Sequence, residues 1–536
     1  MGRRPGHLRV LRRRHRGEQL RLRHGDALRG RRAGRRDLAG LALADGRTRA
    51  HRLRGGGVAD VHLAHLLAER APVHDDGGAD LPGPRRRHPP PSALASGPDR
   101  GVGRLDGVPR HPDGDRPVRG VTMSAGSRRL SGTSRPRPAV FDRIIAGVRG
   151  RRPLEKAALL SVGMVVAMRV VLGLAVAVSC GDGHCDTQGI TWFGPPPATS
   201  GWQGLLVGPW QRNDAALYSQ IALHGYLPPS SGIGPVGVFF PLFPLLTRAF
   251  MSLLGGDSIL SGLVVNSVLT VVALTLLFRL VETEFGEKAG YRAQLLLGVG
   301  PAIFFLLSPL SEATFLTFTL AAVLAARRGR IVLASLFAAG ATLARIQGIL
   351  VMVPVLIELG IQARARLTAN QRPFRLSHGS LVLPPACLLG FELYVTGHGY
   401  PGGILAAEQV YWHAHTVFPG VAVWDSLLWV FSHADIPELL NLLAVGALLV
   451  CIFFMWRRLR PSDTAYAAVS LLVIVSHVNG FSPLMSALRF CVLTYPVWVL
   501  LGRSLPSPQD LRRALVVLGA LTLLVTLGIS GYHMVQ

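Results

Sequence analysis

Residues 293–326 read AQLLLGVGPAIFFLLSPLSEATFLTFTLAAVLAA, and residues 331–360 read IVLASLFAAGATLARIQGILVMVPVLIELG: two long apolar segments, each with a polar centre. As straight helices they would be about 51 and 45 Å long, whereas the hydrocarbon core of a bilayer is roughly 30 Å thick. Each segment is therefore too long for one crossing and too short for two full ones. We predict two hairpins whose polar centres, SPLSE and ARIQG, lie in a protein-lined cavity rather than in lipid. Interrupted hydrophobic segments of this kind are a usual pointer to a binding site.

The composition of the whole chain is also that of a membrane protein. Of its 536 residues, 49% are hydrophobic and 16% are charged, whereas a soluble domain carries about 25% charged residues. Seven further apolar runs are long enough to cross, or nearly cross, a bilayer. They are residues 157–178, 259–280, 381–395, 439–456, 466–478, 490–501 and 515–529. With the two hairpins they predict an all-α polytopic membrane domain at residues 157–536, with about 11 transmembrane helices.

The basic residues of the short loops support this topology. If residues 236–254 form a re-entrant or interfacial segment and do not cross, every Lys- and Arg-rich short loop falls on the side of the N-terminus. By the positive-inside rule that side is the cytoplasm of a multi-pass cell-membrane protein. These loops contain Lys288, Arg292, Arg327, Arg328, Arg330, Arg364, Arg366, Arg372, Arg375, Arg457, Arg458, Arg460, Arg503, Arg512 and Arg513. The outer loops 180–235 and 396–437 then share the extracytoplasmic side with SPLSE, ARIQG and NGFSPLMSALR, which predicts an active site there.

Residues 1–122 differ in composition from the rest of the chain. They are rich in Arg, contain no Lys and supply more than half of the formal net charge of +26. Such a segment cannot bury a core against chain entropy. It is interpreted as a disordered cytoplasmic extension, a nucleic-acid-binding tail or, the favoured reading, the product of a start codon placed too far upstream of Met123. An RNA-binding tail would need aromatic stacking platforms, so we expect no nucleic-acid partner and take residues 123–156 as the basic cytoplasmic N-terminus.

The first outer loop contains an acid with helical neighbours, in WQRNDAALYSQIALHGYLPP at residues 210–229. Helical spacing from Asp214 places Tyr218 and Ile221 on its face, which predicts a short amphipathic helix at the membrane surface. Asp is a favoured N-cap residue, and a carboxylate can also act as a catalytic base. The residues alone leave both roles open for Asp214.

Three stretches resemble the PIG-V-like mannosyltransferase family: RNDAALYSQIALHGY followed by FFPLFP, then PAIFFLLSPLSEATFLTF, then AARRGR followed by LARIQGILVMVPVLIE. The similarity runs from Arg151 to the C-terminus and is strongest between Trp210 and Glu358. The family belongs to the GT-C class of multi-span glycosyltransferases, which use a polyprenyl- or dolichyl-phosphate sugar and carry an acid in the first outer loop. The resemblance implies that Asp214 is the catalytic base and Glu312 a second carboxylate of the site. The family commonly has Trp before this Asp, where the chain has Asn213, so sugar or acceptor packing can differ.

Cationic and aromatic side chains complete the predicted site. Arg345 in ARIQG and Arg489 in SALRF are candidates for contact with the departing phosphate, because Arg forks suit phosphate and an ionisable group at membrane depth is costly without a function. A structural ion pair with Glu312 is the alternative for Arg345. In AAEQVYWHAHTVFPG, Gln409 and Trp412 suit a saccharide, although Trp is also enriched at membrane interfaces. The other predicted substrate-binding residues are Arg212, Tyr218 and Gln347.

These observations predict a GT-C-type glycosyltransferase that transfers mannose from polyprenyl-phosphate-mannose to an extracytoplasmic glycolipid or glycan. Its expected partners are membrane lipid, the lipid-linked donor and that acceptor. The sequence has no Walker loop, dinucleotide fingerprint or metal-ligand spacing, so we expect neither a metal nor a cofactor. Two alternatives stay open: a transporter or flippase of a lipid-linked sugar, which would predict inverted repeats, and a non-catalytic membrane subunit with the same fold. Cys180 and Cys185 can form a disulfide if their loop faces an oxidising compartment.

Overall fold

A computed structural model describes residues 152–179, 207, 210, 214–228, 236–373 and 375–530. The chain divides into two units, residues 1–127 and 128–536, and every described residue belongs to the second. Several features named above lie outside the described residues: the extension at residues 1–122, most of segment 123–156, and Arg212, Cys180 and Cys185.

The described part of the chain is almost entirely helical. Its α-helices are α1 Pro153–Ser179, α2 Asp214–His224, α3 Leu242–Met251, α4 Ser258–Phe285, α5 Glu287–Val299, α6 Ala302–Leu307, α7 Glu312–Arg327, α8 Ile331–Ala344, α9 Met352–Thr368, α10 Leu383–Gly397, α11 Gly403–Trp412, α12 Val421–His433, α13 Ile436–Met455, α14 Pro461–Val475, α15 Ala487–Val492, α16 Pro496–Ser504 and α17 Pro508–Ser530. Short 3₁₀ helices lie at Val236–Val238, Ile346–Val351 and Leu376–Val382. Strands β1 His415–Thr416 and β2 His477–Val478 pair antiparallel, with His415 opposite Val478.

Six helical stretches of the described residues are long and apolar enough to cross a membrane: Pro153–Val178, Ser258–Phe285, Ile346–Thr368, Leu376–Gly397, Ile436–Met455 and Pro508–Ile529. Shorter apolar helices are α3, α8 and α14. The protein is therefore an all-α polytopic membrane protein, as the sequence predicts, while the total of about 11 crossings stays a prediction. Helix α3 is about 15 Å long, too short to cross, which agrees with the re-entrant or interfacial assignment of residues 236–254.

Both long apolar segments break at their polar centres. In the first, α6 ends at Leu307 and α7 begins at Glu312. Asn266 of α4 stabilises the break, because its Nδ2 donates to the carbonyl oxygen of Leu310 at 2.7 Å and to that of Ser308. In the second, α8 stops at Ala344 and the next residue is fully extended, with φ −158° and ψ 152°. Both breaks therefore confirm the interruptions that the sequence predicts.

Helix α8 runs antiparallel to α7, and α9 in turn runs antiparallel to α8. A tight turn at Arg328–Arg330 joins α7 to α8. Farther along, Nε2 of Gln362 in α9 donates to the carbonyl oxygen of Ala326, at the end of α7, at 2.7 Å. The chain has thus returned along α9 to the end from which α8 started. This geometry is the second predicted hairpin, and its tip lies beside Glu312.

The most buried side chains lie in the centre of the bundle, on α4, α5, α6 and α7. Leu274, Leu277, Leu296 and Phe305 are fully buried. Helices at the periphery expose large apolar side chains, such as Val178 with 77% of its surface exposed. Such faces suit contact with lipid, since lipid tails are as apolar as the side chains themselves.

Candidate active site

A polar cavity of about 160 Å³ lies at the Glu312 end of α7. Its wall is built from α2, the chain at residues 238–240, the break that follows α8, α11 and the start of α15 with the segment before it. The predicted site residues that line it are Asp214, Tyr218, Arg345, Gln347, Trp412 and Arg489. Residues far apart in the sequence thus meet at one cavity.

Four charged side chains form a continuous network at this cavity. Nη1 of Arg489 donates to Oδ2 of Asp214 at 2.6 Å. Nε of Arg489 and Nη1 of Arg345 both donate to Oε1 of Glu312. The two predicted alternatives for Arg345 therefore overlap, because it pairs with Glu312 and also lines the cavity.

Burial differs sharply within this network. The side chain of Glu312 is fully buried and that of Arg489 is 5% exposed, whereas that of Asp214 is 23% exposed. Buried charges need partners to offset their desolvation, and Glu312 obtains two. Asp214 combines a fixed orientation with access to the cavity, which a base that meets an incoming hydroxyl group requires.

Hydrogen bonds around Arg345 hold its guanidinium in place. Nη1 also donates to Oγ of Ser311 at 3.3 Å, and Nε donates to Oε1 of Gln347 at 3.3 Å. The guanidinium carbon lies 5.1 Å from the ring centroid of Phe490, a cation–π contact. Gln347 therefore orients Arg345 in addition to lining the cavity.

Tyr218 contributes through the same serine. Its hydroxyl donates to Oγ of Ser311 at 2.8 Å. Burial raises the pKa of Tyr218 to about 12, so the hydroxyl stays neutral. Its ring packs edge-on against Phe239 and Phe243. Tyr218 thus fixes the break before α7 as much as it lines the cavity.

Helix α2, which carries Asp214 and Tyr218, differs from its predicted placement. All residues from Ala215 to Ala222 are buried, so the helix lies within the protein and not on a membrane surface. The sequence pattern of one polar face was misleading, because Ser219 and Gln220 are buried as well. Ser219 finds its partner in the hydroxyl group of Ser258 at 2.5 Å.

The break that carries Arg345 depends on a glycine. A Cβ atom at Gly348 would lie 2.0 Å from the carbonyl oxygen of Ala341, much closer than any real contact. The chain can therefore double back after Arg345 only because no side chain is present there. This close approach explains the glycine of ARIQG.

The segment that carries Arg489 is held by a buried acid that the sequence analysis missed. Glu438 of α13 is fully buried; its Oε1 accepts from the backbone N–H of Leu484 at 2.8 Å and its Oε2 from the hydroxyl of Ser482 at 2.9 Å. One turn later, Oδ1 of Asn441 accepts from the backbone N–H of Leu488 at 3.0 Å. A Glu and an Asn three residues apart in an apolar helix were the available signal. Together they place Arg489 opposite Asp214.

A second cavity of about 510 Å³ adjoins the polar one. Arg345, Gln347, His477 and Asn479 line both. The remaining wall of the larger cavity is mainly apolar, with Leu350, Leu405, Leu472, Val473 and Ile474 among its residues. A polar cavity and an apolar one therefore meet at Arg345.

Glu408 of α11 is a second side chain that the sequence analysis missed. It lines both cavities, whereas its neighbour Gln409 is exposed and lines neither. Burial raises the pKa of the Glu408 carboxyl, and the positive charge of Arg345 partly opposes this shift. The acid stands next to Gln409 in AAEQVYW, and only the direction of the helix decides which of the two faces the site.

Among the described residues, no group of three or more His, Cys, Asp or Glu side chains could hold a metal ion. That the protein works without a metal ion stays a prediction, as does the disulfide between Cys180 and Cys185.

Comparison with known proteins finds a similarity for one part of the chain. Residues 235–386 match the sequence profile of the dolichyl-phosphate-mannose-protein mannosyltransferase family. The match includes α7, α8 and both chain breaks, hence Glu312 and Arg345, but neither Asp214 nor Arg489. No curated protein matches the chain. The match and the helical membrane fold together support a membrane glycosyltransferase of the GT-C type, and the matched profile is that of a mannosyltransferase family.

Proposed function

We propose that the protein transfers mannose from polyprenyl-phosphate-mannose to a glycolipid or glycan acceptor on the extracytoplasmic face of the cell membrane. The observation that carries this proposal is the paired network of Asp214, Glu312, Arg345 and Arg489 at a polar cavity that opens into an apolar one. The resemblance of three sequence stretches to PIG-V-like enzymes and the matched mannosyltransferase profile support mannose as the sugar.

Asp214 is the base in this proposal. It takes the proton of the acceptor hydroxyl while that oxygen attacks the anomeric carbon and the bond from this carbon to the phosphate oxygen breaks. The products are the mannosylated acceptor, with inverted configuration, and polyprenyl phosphate. Arg489 fixes the direction of the carboxylate by its 2.6 Å bond to Oδ2, and the 23% exposure of Asp214 leaves the acceptor a route to it.

Arg345 binds the phosphate. Its guanidinium lies where the two cavities meet, so a phosphate there has the sugar on the polar side and the prenyl chain on the apolar side. A preorganised cation stabilises the charge that develops on the leaving phosphate, without the cost of reorganisation during the reaction. Within the described part of the chain, the hydrogen bonds of Arg345 engage Nε and Nη1, which leaves Nη2 for the ligand.

The apolar cavity takes the start of the prenyl chain. Side chains such as Leu350, Leu405 and Val473 give this cavity an uncharged, apolar surface. Burial of the apolar prenyl chain against this surface, away from water and headgroups, contributes to affinity. Trp412 lines the polar side with its ring 6.1 Å from that of Phe239, a suitable face for a sugar ring.

Transfer from radiolabelled polyprenyl-phosphate-mannose tests the proposal. Membranes that contain the full-length wild type should incorporate label into an extractable glycolipid or glycan, and those with Asp214→Ala at equal expression should stay near background. Asp510→Ala is the matched control, because Asp510 lies at the start of α17, is half exposed and, among the described residues, pairs only with Arg513, three residues later. Equal transfer by wild type and Asp214→Ala would exclude Asp214 as the base. Movement of the labelled lipid across the membrane without transfer would instead identify a flippase.

A further inference from the structure

The charges at the cavity are unequal in number. Asp214 and Glu312 are matched by Arg345 and Arg489 through direct ion pairs. Glu408 adds a third carboxyl group to this cavity, and within the described part of the chain this carboxyl makes neither a hydrogen bond nor an ion pair. It is the one acid of this set whose charge has no direct partner.

The proposed donor brings one more negative charge to this place. A phosphodiester carries a single negative charge at every pH of interest, and Arg345 is the cation at the junction where it would bind. An ionised Glu408 beside it would compete for Arg345, and two like charges in one small cavity disfavour each other. A neutral Glu408 removes this conflict and supplies an O–H donor for a phosphate or sugar oxygen.

We propose that Glu408 is neutral in the donor complex, so that capture of the phosphate-linked donor takes up one proton from solution. This inference rests on the proposed function and adds a residue whose protonation state changes when the negatively charged ligand binds. It makes Glu408 a group that contacts the donor as a hydrogen-bond donor and not as a carboxylate acceptor of sugar hydroxyls.

The surroundings of Glu408 support this assignment. Burial already raises the pKa of its carboxyl in the free site, and Arg345 is the charge that lowers it; a bound anion would weaken that influence. His477 also lines both cavities, but burial and His415 lower its pKa, so it adds no charge near neutral pH. Helix α10, which packs against α11, contributes Glu392, whose Oε2 accepts from the backbone N–H of Ile404. The 3₁₀ helix Val236–Val238, also packed on α11, has no titratable side chain.

The sign of the pH dependence follows from linkage. Donor binding raises the pKa of Glu408, so a proton is taken up at pH values between the pKa of the free site and that of the complex. In this interval the dissociation constant rises with pH, by at most about tenfold per pH unit. Below the lower pKa the carboxyl is already neutral and the dissociation constant is independent of pH.

Calorimetric titration of the full-length protein in detergent with a short-chain polyprenyl-phosphate-mannose tests the inference. Repeating each titration at one pH in two buffers of different ionisation enthalpy gives the number of protons taken up. We expect up to one proton for the wild type, and none for Glu408→Gln, whose amide keeps an N–H donor and so keeps the affinity. Glu408→Asp retains a titrating carboxyl and should retain uptake. Glu155→Gln, the same change at an exposed residue near the start of α1, is the matched control and should behave as the wild type.

Three results would overturn the inference while the wild type still binds the donor. They are the absence of proton uptake by the wild type at every pH, the persistence of uptake in Glu408→Gln, and loss of donor binding in Glu408→Gln at every pH. The last would show that an ionised carboxylate is required. Failure of the wild type itself to bind the donor would overturn the proposed function together with this inference, and the two failures are thereby distinguishable.

Discussion

The two ends of α7 carry two networks of Arg and carboxylate side chains with different surroundings. At the end that begins with Glu312, the network lines a cavity and its most exposed member is a carboxylate, Asp214. About 22 Å away along the helix, Arg327 donates from Nη2 to both carboxylate oxygens of Asp463 at 2.6 Å. Neither of the two cavities described above includes a residue of this second network.

The second network, the Arg327 network, consists of Glu284, Arg327, Glu358, Arg460 and Asp463. Serine and tyrosine hydroxyls complete it: Ser462 donates to Glu358 at 2.7 Å, and Tyr495 donates to Asp463. Its most exposed member is a guanidinium, that of Arg460, which is 43% exposed. A guanidinium has no lone pair to accept a proton, so the most exposed member of this network cannot act as a base.

The difference teaches that buried charge alone does not mark a functional site. Both networks offset the cost of desolvation by multiple pairing, and both contain residues from distant parts of the sequence. The two networks differ in the charge of their most exposed side chain, and only the network at the Glu312 end lines one of the two cavities. The Arg327 network also lies among the Lys- and Arg-rich loops that the positive-inside rule assigns to the cytoplasm, which suits a structural lock opposite the site.

The largest expected effect on the reaction is at the Glu312 end. Asp214→Asn keeps the size of the side chain but removes its basicity, so transfer of labelled mannose should fall by about 10²–10⁴-fold. Because Asp214 is partly exposed and Glu312 still pairs with Arg489, the thermal unfolding midpoint in detergent should change little. A transfer rate within a few fold of the wild-type rate would contradict the assignment of the catalytic base to the Glu312 end.

The same substitution at the other end should act on stability. Asp463→Asn replaces the fully buried carboxylate that Arg327 pairs with by a neutral amide, while Glu284 and Glu358 still face Arg327. Because breaking a buried pair costs about 3–5 kcal/mol when the remaining charge has no partner, we expect a cost of at most that size here. We expect a lower unfolding midpoint and a lower yield, with transfer per folded molecule unchanged. A specific loss of transfer at normal stability would show that the Arg327 network takes part in function.

Exchanging an arginine for a lysine in each network should produce effects of intermediate size that again differ between the two ends of α7. Arg345→Lys keeps the charge but loses the fork that meets Ser311, Glu312 and Gln347 together. Since hydrogen bonds to charged groups contribute about 1.5–3 kcal/mol, transfer should fall by about tenfold to hundredfold. Arg327→Lys should instead lower the unfolding midpoint and leave the transfer rate of folded molecules as it is, which parallel assays of both variants would check.

The smallest effects are expected from a matched pair of serines. Ser482→Ala removes a bond to Glu438, which holds the segment before Arg489, and Ser462→Ala removes a bond to Glu358 in the Arg327 network. Because both hydrogen bonds are to carboxylates, each loss should cost about 1.5–3 kcal/mol of stability. Only Ser482→Ala should also lower transfer, by a few fold, because Arg489 then positions Asp214 less well. Equal transfer by the two variants would show that the Glu438 bonds do not matter for the site.

Several features of the site were accessible from the sequence because they depend on chain length and polarity alone. The breaks at SPLSE and ARIQG follow from comparing helix length with bilayer thickness, and the structure places Glu312 and Arg345 at them. A charged residue within or beside an apolar stretch can also be recognised from the sequence alone, as Arg489 was. The helix at Asp214 was predicted, but its burial was not, because the faces of a short helix are covered by elements whose positions no local pattern encodes.

Only the tertiary structure decided which of these residues meet. Asp214 and Arg489 are 275 positions apart in the sequence, and nothing in either local pattern indicates the other. Glu408 and Gln409 are adjacent, yet one lines both cavities and the other lines neither, since a helix turns neighbouring side chains in different directions. The sequence by itself determined a helical membrane protein with two interrupted segments, because hydrophobicity and length are properties of the chain. The pairing of charges and the shape of the cavities belong to the packed bundle, because they depend on distances that exist only after folding.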